Sequence, residues 1–321
     1  MTTDGKNPPL GGDSPFFWQG ARRWLYEQLR EVATSPQQAR TEADWLLEAA
    51  TGVSLAQGLA QPDTPVENFA KERLTTWLHQ RCVDRCPVQY LLGEAFFYGL
   101  SFQVTPAVLI PRPETEALVE AALVALTQRL QGAQVAGDAS QEWLVVDVGT
   151  GSGCLITALG VALRRQWPAA ACQRVRLYGV DVSLEALAVA QANARRHEVP
   201  VTWLHGSLLE PVLAIEGPPL TMVLSNPPYI PSPECDTLQP EVRCHEPRLA
   251  LDGGDDGLVC YRQLFAQLPK VLAPNGTVFL EFGALQAHAI VALAHQAGFA
   301  NVKVNGDSAG WDRWCQIDGL E

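Results

Sequence analysis

The chain has 321 residues, of which 47% are hydrophobic and 18% charged, and its formal net charge at pH 7 is −12. This composition predicts a globular protein of two domains that buries a full core. The acidic balance argues against a protein that holds nucleic acid through the phosphates, which requires a basic face, so we expect no direct nucleic-acid binding. The sequence shows neither a run of 18 apolar residues nor a basic and apolar leader, and we therefore predict a cytoplasmic protein without a membrane span.

Eight cysteines are spread along the chain, and no two of them have the C-x-x-C spacing. Cys82 and Cys86 lie close together, but neither a second pair nor a cluster of histidines accompanies them. Zinc sites normally need such a set of four ligands. We therefore expect reduced, partly buried cysteines and no metal site.

The N-terminal part of the sequence is predicted to be a disordered tail followed by helices. Residues 1–14 are polar and rich in glycine, which is typical of a tail. A first helix is predicted from residue 15 to about 34, and Ser35 followed by Pro36 is typical of the start of a second helix. We expect that helix to end at Gly52, because glycine readily adopts the left-handed conformation found after many helices.

A third helix is predicted after Thr64-Pro65-Val66-Glu67, which has the spacing of a capping box. The pattern places Phe69, Leu74, Trp77 and Leu78 on its apolar side. Aromatic residues in such a domain belong to the core more often than to a binding surface. We therefore predict a small helical domain over residues 15–84, with no catalytic residue in it.

The pattern changes between residues 85 and 112. Alternating apolar residues at Leu100, Phe102 and Val104, together with nearby glycines, predict a β-hairpin that links two domains. Two prolines around Arg112 predict a rigid loop, in which we expect Arg112 and Glu114 to form a structural ion pair. A loop of this kind can be a plain linker or one wall of a ligand site, and the residues alone do not decide between the two.

A glycine-rich turn follows the next predicted strand. The apolar run from Trp143 to Val148 leads into Gly149-Thr150-Gly151-Ser152-Gly153, and a helix is predicted from Cys154. Glycines allow close backbone approach, and the amides at a helix N-terminus point toward a ligand, so this arrangement favours a nucleotide-type site. The third glycine comes one residue too early for the dinucleotide motif, and the Lys-Ser/Thr ending of a phosphate-binding loop is missing.

The following strand is predicted to end in an acidic residue. The run from Arg176 to Val180 is followed by Asp181, which stands 34 positions after Asp147. A carboxylate at the end of the second strand of such a sheet can accept hydrogen bonds from both ribose hydroxyls of a nucleoside. We therefore predict that Asp181 binds a ribose.

The sequence Asn226-Pro227-Pro228-Tyr229 follows the apolar run Met222-Val223-Leu224. Two prolines make the turn stiff, and the side-chain oxygen of Asn226 is expected near the free carbonyl of Pro227. Tyr229 adds a flat ring. Two hydrogen-bond acceptors beside an aromatic ring are suited to bind a planar NH2 group. The same residues also form ordinary tight turns.

The combined pattern resembles a known class of enzymes. Asp147-x-Gly149-x-Gly151-x-Gly153, then Asp181, then Asn226-Pro227-Pro228-Tyr229 is similar to S-adenosylmethionine-dependent methyltransferases that modify planar amino or amide nitrogens. Nucleotide hydrolases and dehydrogenases fit this set less well.

Additional stretches make the resemblance more specific. They are Pro87-Val88-Gln89-Tyr90-Leu91-Leu92-Gly93, Phe97-Tyr98-Gly99-Leu100, Leu109-Ile110-Pro111-Arg112-Pro113-Glu114-Thr115-Glu116, Glu246-Pro247-x-x-Ala250-Leu251-x-Gly253-Gly254-x-x-Gly257-Leu258 and Asp307-x-Ala309-Gly310-x-Asp312-Arg313. Together they resemble the HemK/PrmC family, the protein-(glutamine) methyltransferases that methylate the amide of the Gly-Gly-Gln loop of peptide chain release factors. The resemblance covers nearly the whole chain after the tail.

The resemblance implies an α/β fold of the class I S-adenosylmethionine-dependent methyltransferase type. Its seven-stranded sheet is mostly parallel with one antiparallel strand, and a helical substrate-recruiting domain precedes it. Alternation of apolar runs with helical patterns supports the same class. The catalytic domain is expected over residues 113–321, after the linker 85–112. The strands are expected at 144–147, 175–181, 201–204, 222–226, 276–281, 301–304 and 313–317.

The resemblance also implies a cofactor, S-adenosylmethionine, which leaves as S-adenosylhomocysteine. Asp181 would hold its ribose, and Ser207 and Leu208 would flank adenine. Many family members carry an acid in place of Ser207, and a hydroxyl accepts a hydrogen bond less strongly than a carboxylate. The expected cofactor-binding residues are Asp147, Gly149, Thr150, Gly151, Ser152, Gly153, Asp181, Ser207, Leu208 and Asn226.

The implied reaction is direct methyl transfer to an amide nitrogen. The side-chain oxygen of Asn226 and the carbonyl of Pro227 would accept the two amide hydrogens, so that the nitrogen lone pair faces the methyl group. Tyr229 would stack on the amide plane. The expected catalytic residues are Asn226, Pro227 and Tyr229, and the expected substrate-binding residues are these with Pro228, Phe96 and Phe97. The role of Glu281, at the end of its strand, remains open.

Two other functions remain open at this point. An adenine amino-methyltransferase could use Asn226 and Tyr229 on a flipped base, but it would need a basic domain that reads nucleic acid. A non-catalytic cofactor-binding module that docks on ribosomal factors would have no need of the Asn226 arrangement. Class 1 release factors are the expected partners.

Overall fold

The computed structural model describes residues 16–138, 140–215, 218–307 and 309–320. The predicted tail, 1–14, lies outside the described residues. The chain divides into two compact units. The first runs to Gly93 and also includes Gln239–His245, whereas the second contains Glu94–Leu238 and Glu246–Glu321. The predicted linker is therefore divided between the two units at Gly93.

The first unit is helical. A buried core of alanine, leucine and tryptophan side chains holds its longer helices together, and Trp18 lies at its centre. As predicted, the Ser35 hydroxyl caps the second helix by accepting a hydrogen bond from the Gln38 amide, and Gly52 follows that helix with φ +71°. The helices are α1 Trp18–Leu29, α2 Pro36–Thr51, α3 Leu55–Ala60, α4 Asn68–Cys82 and α5 Val88–Leu92, with α12 Pro240–His245 contributed by the later segment.

Three details of this unit differ from the prediction. The first helix, predicted to reach about residue 34, ends at Leu29. The capping box is formed by Ser54 and Gln57 at the start of α3, whereas α4 begins after Glu67 without a side-chain cap. Phe69 is exposed and does not belong to the apolar side of α4. The spacing S/T-x-x-E/Q occurs at both places, but Glu67 is itself the residue before α4, so Thr64 lies too far from the helix to cap it.

The second unit contains a hairpin and a seven-stranded sheet. In the hairpin, β1 Glu94–Phe97 pairs with β2 Leu100–Gln103. The sheet strands are β3 Trp143–Val148, β4 Val175–Asp181, β5 Val201–His205, β6 Leu220–Ser225, β7 Leu272–Glu281, β8 Phe299–Gly306 and β9 Asp312–Leu320. Their order is β5-β4-β3-β6-β7-β9-β8, and β9 is antiparallel to both neighbours. All seven predicted strands are therefore confirmed.

Helices cover both faces of this sheet. Side chains of α6 and α7 pack on one face, around Val145 and Leu224, and side chains of α13 and α14 pack on the other, around Val146 and Val223. Burial on both faces explains why these strands read as continuous apolar runs. The remaining helices are α6 Glu116–Ala136, α7 Cys154–Gln166, α8 Ala169–Cys172, α9 Leu184–Arg196, α10 Glu210–Leu213, α11 Ser232–Cys235, α13 Val259–Val271 and α14 Ala287–Gln296.

The register brings the predicted site residues to one edge of the sheet. Val148 pairs with both Val180 and Ser225, so the chain leaves β3, β4 and β6 at the same level. Ligands bind at this edge of open α/β sheets. Within the described ranges, no helix is long and apolar enough to cross a bilayer.

Candidate active site

The glycine turn after β3 closes over the end of β4. The amides of Gly149 and Thr150 both donate to the Val180 carbonyl, each at 2.9 Å. Gly149 and Gly151 have φ values of +69° and +54°, a region where a residue with a Cβ is strained. The turn therefore depends on glycine at these two positions.

The third glycine has a packing role. A Cβ on Gly153 would lie 2.9 Å from the Ala190 Cβ and 3.2 Å from the Trp203 ring. Gly153 thus lets α7 begin in close contact with α9 and β5, and it does not itself line a cavity. The first two glycines therefore form the turn, and the third allows the close packing of α7 on its neighbours.

A residue that the sequence analysis missed holds this turn in place. Asn193, fully buried on α9, donates to the carbonyl oxygens of Ser152 and Gln103 at 2.9 Å, and its Oδ1 accepts from the Gln103 amide at 2.7 Å. Asn193 therefore joins the glycine turn to the end of β2. The sequence signal for it is an asparagine among the small apolar residues that α9 buries, such as Ala190 and Ala194.

Asp147 lies beneath the turn, with no exposed surface. Its Oδ2 accepts from the Thr150 hydroxyl at 2.6 Å, and its Oδ1 has no hydrogen-bond partner among the described residues. Burial raises the pKa of this carboxyl to about 7, and the charge of Asp181 acts in the same direction. Asp147 therefore supports the turn from behind.

Asp181, at the end of β4, faces a cavity of about 300 Å³. Its Oδ2 accepts from the Gly151 amide and its Oδ1 from the Ser183 amide, each at 2.9 Å. These bonds fix the carboxylate, and each oxygen keeps a further lone pair. Asp181 is thereby oriented to accept hydrogen bonds from a ligand.

The cavity brings together six of the ten predicted cofactor residues: Gly149, Gly151, Asp181, Ser207, Leu208 and Asn226. The other four, Asp147, Thr150, Ser152 and Gly153, are buried behind its wall. Most of the remaining lining was not predicted, because it comes from loops without a motif. It consists of Ala107, Val108, Leu109, Val180, Val182, Ser183, Ala186, Gly206, Pro228, Pro247, Leu249, Ala250, Cys260 and Gln263.

Leu208 adopts a strained backbone conformation at the cavity wall. Its φ is +49°, a value that is uncommon for residues other than glycine, asparagine and aspartate. Such strain persists only where the surroundings impose it, and it concentrates at ligand sites. The conformation presents Ser207 and Leu208 together to the cavity.

The loop that contains Asn226 is fixed from behind by a glycine-rich segment. Ile230 exchanges backbone hydrogen bonds with Leu251 and Gly253, at 3.0 and 2.8 Å. A Cβ on Gly257 would lie 2.3 Å from the Tyr229 carbonyl oxygen, so only glycine fits there. The Gln286 amide also donates to the Tyr229 carbonyl at 2.9 Å. These contacts explain the glycines of the 246–258 stretch.

Asn226 lines the cavity, and its Nδ2 donates to the Thr115 hydroxyl at 3.1 Å. Pro228 lines the cavity as well, whereas Pro227 is buried. Burial raises the pKa of the neighbouring Tyr229 phenol to about 12, so the ring is neutral at physiological pH. Tyr229 is half-buried and, unlike Asn226 and Pro228, does not belong to the lining of this cavity.

Phe96 and Phe97, both predicted to bind the substrate, differ in burial. Phe97 is 1% exposed and packs edge to face on Phe102 in the core, whereas Phe96 is 65% exposed. Neither belongs to the cavity lining. Neighbouring strand residues point to opposite faces, so one of the pair had to turn inward.

Arg112 pairs with a distant residue and not with Glu114, which corrects the expected ion pair. Its guanidinium lies 2.6 Å from Glu246, 134 positions later. Glu246 is buried, which raises the pKa of its carboxyl, and Arg112 opposes that change. The pair joins the loop before α6 to the segment that contains Pro247, so the predicted structural role of Arg112 holds with another partner.

Comparison with known proteins decides the family. A family model described as the PrmC N-terminal domain matches residues 20–93, and a model described as the methyltransferase small domain matches residues 125–242. A release factor glutamine methyltransferase of Geobacter sulfurreducens is 41% identical over 86% of this chain and 88% of its own length. One from Gloeobacter violaceus is 40% identical over 92% and 96%.

The chain belongs to the release factor glutamine methyltransferase family. Both relatives are matched over most of their length, and the first family model ends at Gly93, where the first of the two segments of the helical unit also ends. A solved protein-(glutamine-N5) methyltransferase, described as release-factor-specific, from Alicyclobacillus acidocaldarius is 30% identical. It covers 68% of this chain and all of its own, with a TM-score of 0.37. The match to the methyltransferase small domain, together with a seven-stranded sheet in which only β9 runs antiparallel, makes this a class I methyltransferase fold.

Proposed function

We propose that this protein transfers a methyl group from S-adenosylmethionine to the side-chain amide nitrogen of glutamine in the Gly-Gly-Gln loop of class 1 peptide chain release factors. One observation carries the proposal. Asn226, on a loop held by backbone hydrogen bonds, lines the same cavity as Asp181 and the glycine turn. An acceptor for a planar NH2 group thus lies beside a site suited to a nucleoside.

The cavity residues fit the cofactor. S-adenosylmethionine supplies a methyl group that is activated by its sulfonium. Asp181 has free lone pairs for the ribose hydroxyls, and the backbone at Gly149 and Gly151 allows close approach. Val182 and Leu208 are apolar walls for a flat base, and the Ser207 hydroxyl replaces the acid of many relatives. Asp147 is the support of this turn and does not reach the cavity.

The residues around Asn226 are suited to the acceptor amide. An amide nitrogen is a poor nucleophile because its lone pair is delocalised into the carbonyl. Hydrogen bonds to the Asn226 Oδ1 and the Pro227 carbonyl would hold both amide hydrogens and stabilise the positive charge that develops on nitrogen. The neutral ring of Tyr229 is a platform for the amide plane. The methyl–sulfur bond would break as the methyl–nitrogen bond forms, and S-adenosylhomocysteine would leave. The methylated nitrogen is strongly acidic and would release one proton to water, so no strong base is required.

The partner and the location are part of the same proposal. Class 1 release factors supply the Gly-Gly-Gln loop, and the helical domain predicted over residues 15–84 would recruit them. Translation termination takes place in the cytoplasm, so we place the protein there. The catalytic domain, predicted over 113–321, would then also include the part of the linker after Gly93 and exclude the segment Gln239–His245.

The test is incubation of the purified protein with methyl-labelled S-adenosylmethionine and, separately, with a release factor, with its Gly-Gly-Gln→Gly-Gly-Ala variant and with DNA. We expect label in the release factor and none in the variant. Label in DNA alone would instead support an adenine amino-methyltransferase. Cofactor binding without label in any of the three would support a docking module.

Replacing Asp181 by asparagine is expected to weaken cofactor binding about tenfold. The amide keeps an oxygen for one hydrogen bond but loses the charge, and hydrogen bonds to a charged acceptor are stronger by about the 1.4 kcal/mol that corresponds to tenfold. Titration calorimetry with S-adenosylhomocysteine measures the dissociation constant. Asp63→Asn, at an exposed position, is the matched control. An unchanged dissociation constant would exclude Asp181 from the cofactor site.

A further inference from the structure

Glu281 is buried directly beside Asn226. The strands β6 and β7 are parallel, with Ser225 opposite Leu280, so the next residues along the two strands, Asn226 and Glu281, emerge side by side. Glu281 is 3% exposed, and its Oε2 has no hydrogen-bond partner among the described residues. A buried carboxylate destabilises the fold unless a counter-ion or hydrogen bonds compensate for the loss of water.

The side chains of Glu281, Thr115 and Asn226 lie together. Asn226 Nδ2 donates to the Thr115 hydroxyl at 3.1 Å, and burial raises the pKa of the Glu281 carboxyl while the nearby Thr115 and Asn226 side chains oppose that rise. The Tyr261 hydroxyl donates to the Glu281 main-chain carbonyl at 2.6 Å, which fixes the end of the strand. Glu281 is therefore held at a defined position behind Asn226.

The chemistry of this group determines which way the Asn226 amide points. An ionised carboxylate only accepts hydrogen bonds, so the end of the amide that faces Glu281 must be the NH2 end. The Thr115 hydroxyl accepts from the same NH2 group and can donate its own hydrogen to Glu281. The amide oxygen then has to point away from both residues.

We propose that Glu281 and Thr115 are positioning residues that lock the Asn226 amide with its oxygen toward the acceptor substrate. This inference rests on the proposed function and adds two residues to it. In a flipped amide, the NH2 group would face the NH2 group of the substrate, and neither could accept. The lock therefore fixes the direction in which the Asn226 side-chain oxygen points and does not change the affinity for the cofactor.

Glu281→Gln and Thr115→Val test the lock, because both keep the shape of the side chain. The glutamine amide can donate to the Asn226 oxygen and so permits the flipped orientation, and valine removes the hydroxyl. We expect each to lower kcat on a release factor about tenfold, with the KM and the cofactor dissociation constant within about twofold. Thr115→Ser keeps the hydroxyl and is expected to restore the rate. Burial raises the pKa of the Glu281 carboxyl to about 7, so assays at pH 8.5 keep it ionised.

A double-mutant cycle that combines Glu281→Gln with Asn226→Ala distinguishes positioning of Asn226 from a general structural effect of the Glu281 substitution. Once Asn226 is absent there is no amide to orient, so Glu281→Gln is expected to cause no further loss in single-turnover rate. Equal kcat for Glu281→Gln and wild type, or full additivity in the cycle, would overturn the lock while leaving the proposed function intact. Failure of the wild type itself to methylate the release factor would instead overturn the function.

Discussion

Replacing Asn226 by alanine is expected to lower kcat for release factor methylation by about 100-fold or more. The expected decrease in kcat follows from the loss of one fixed hydrogen-bond acceptor at the position where positive charge develops. Removal of a donor from an oxyanion hole has an effect of this size. The alanine side chain cannot accept the substrate hydrogen, and the substrate nitrogen is then no longer aimed at the methyl group. The measurement is the initial rate of label transfer at saturating cofactor and release factor.

Two controls accompany this variant. Asn301→Ala, at an exposed position of β8, is expected to keep full activity. Calorimetric titration with S-adenosylhomocysteine shows whether the cofactor still binds, since the glycine turn and Asp181 are untouched. A kcat within threefold of wild type would rule out the side chain of Asn226 as an acceptor.

Replacing Arg81 by alanine is expected to lower the free energy of unfolding of the helical unit by about 3 to 5 kcal/mol. Arg81 is 2% exposed and lies between two carboxylates, 2.8 Å from Glu42 and 2.6 Å from Glu241. Without Arg81, the buried Glu42 has no counter-ion. Glu241 loses one of its two arginine partners and keeps the other, Arg85, at 2.7 Å. Urea denaturation of the full chain, followed by tryptophan fluorescence, measures the change.

An exposed arginine is the matched control for Arg81. Arg30 pairs with Glu27 on the surface of the same unit at 3.0 Å, and Arg30→Ala is expected to cost less than about 1 kcal/mol. Glu241 belongs to the segment 239–245, which comes from the later part of the sequence. A loss in Arg81→Ala no larger than that in Arg30→Ala would show that the buried group does not hold this segment.

The candidate site was predictable wherever its chemistry is local in sequence. Asp181, the glycine turn and the Asn226 loop each follow an apolar run, and the carboxyl ends of parallel strands meet at one edge. The partners of these residues were not predictable in the same way. Thr115 and Asn226 are 111 positions apart, and Arg112 and Glu246 are 134 positions apart, so no spacing relates them.

The sequence by itself determined the strands, the order of the elements and the three segments at one edge of the sheet, which are the glycine turn, Asp181 and the Asn226 loop. It could do so because hydrophobic periodicity and the turn preferences of glycine and proline depend on neighbouring residues. Only the tertiary structure decided that Phe97 lies in the core, that Asn193 supports the turn and that Glu281 lies behind Asn226. The physical reason is that burial and hydrogen-bond partners depend on which strands and helices are adjacent, and this adjacency joins residues that are far apart in the sequence.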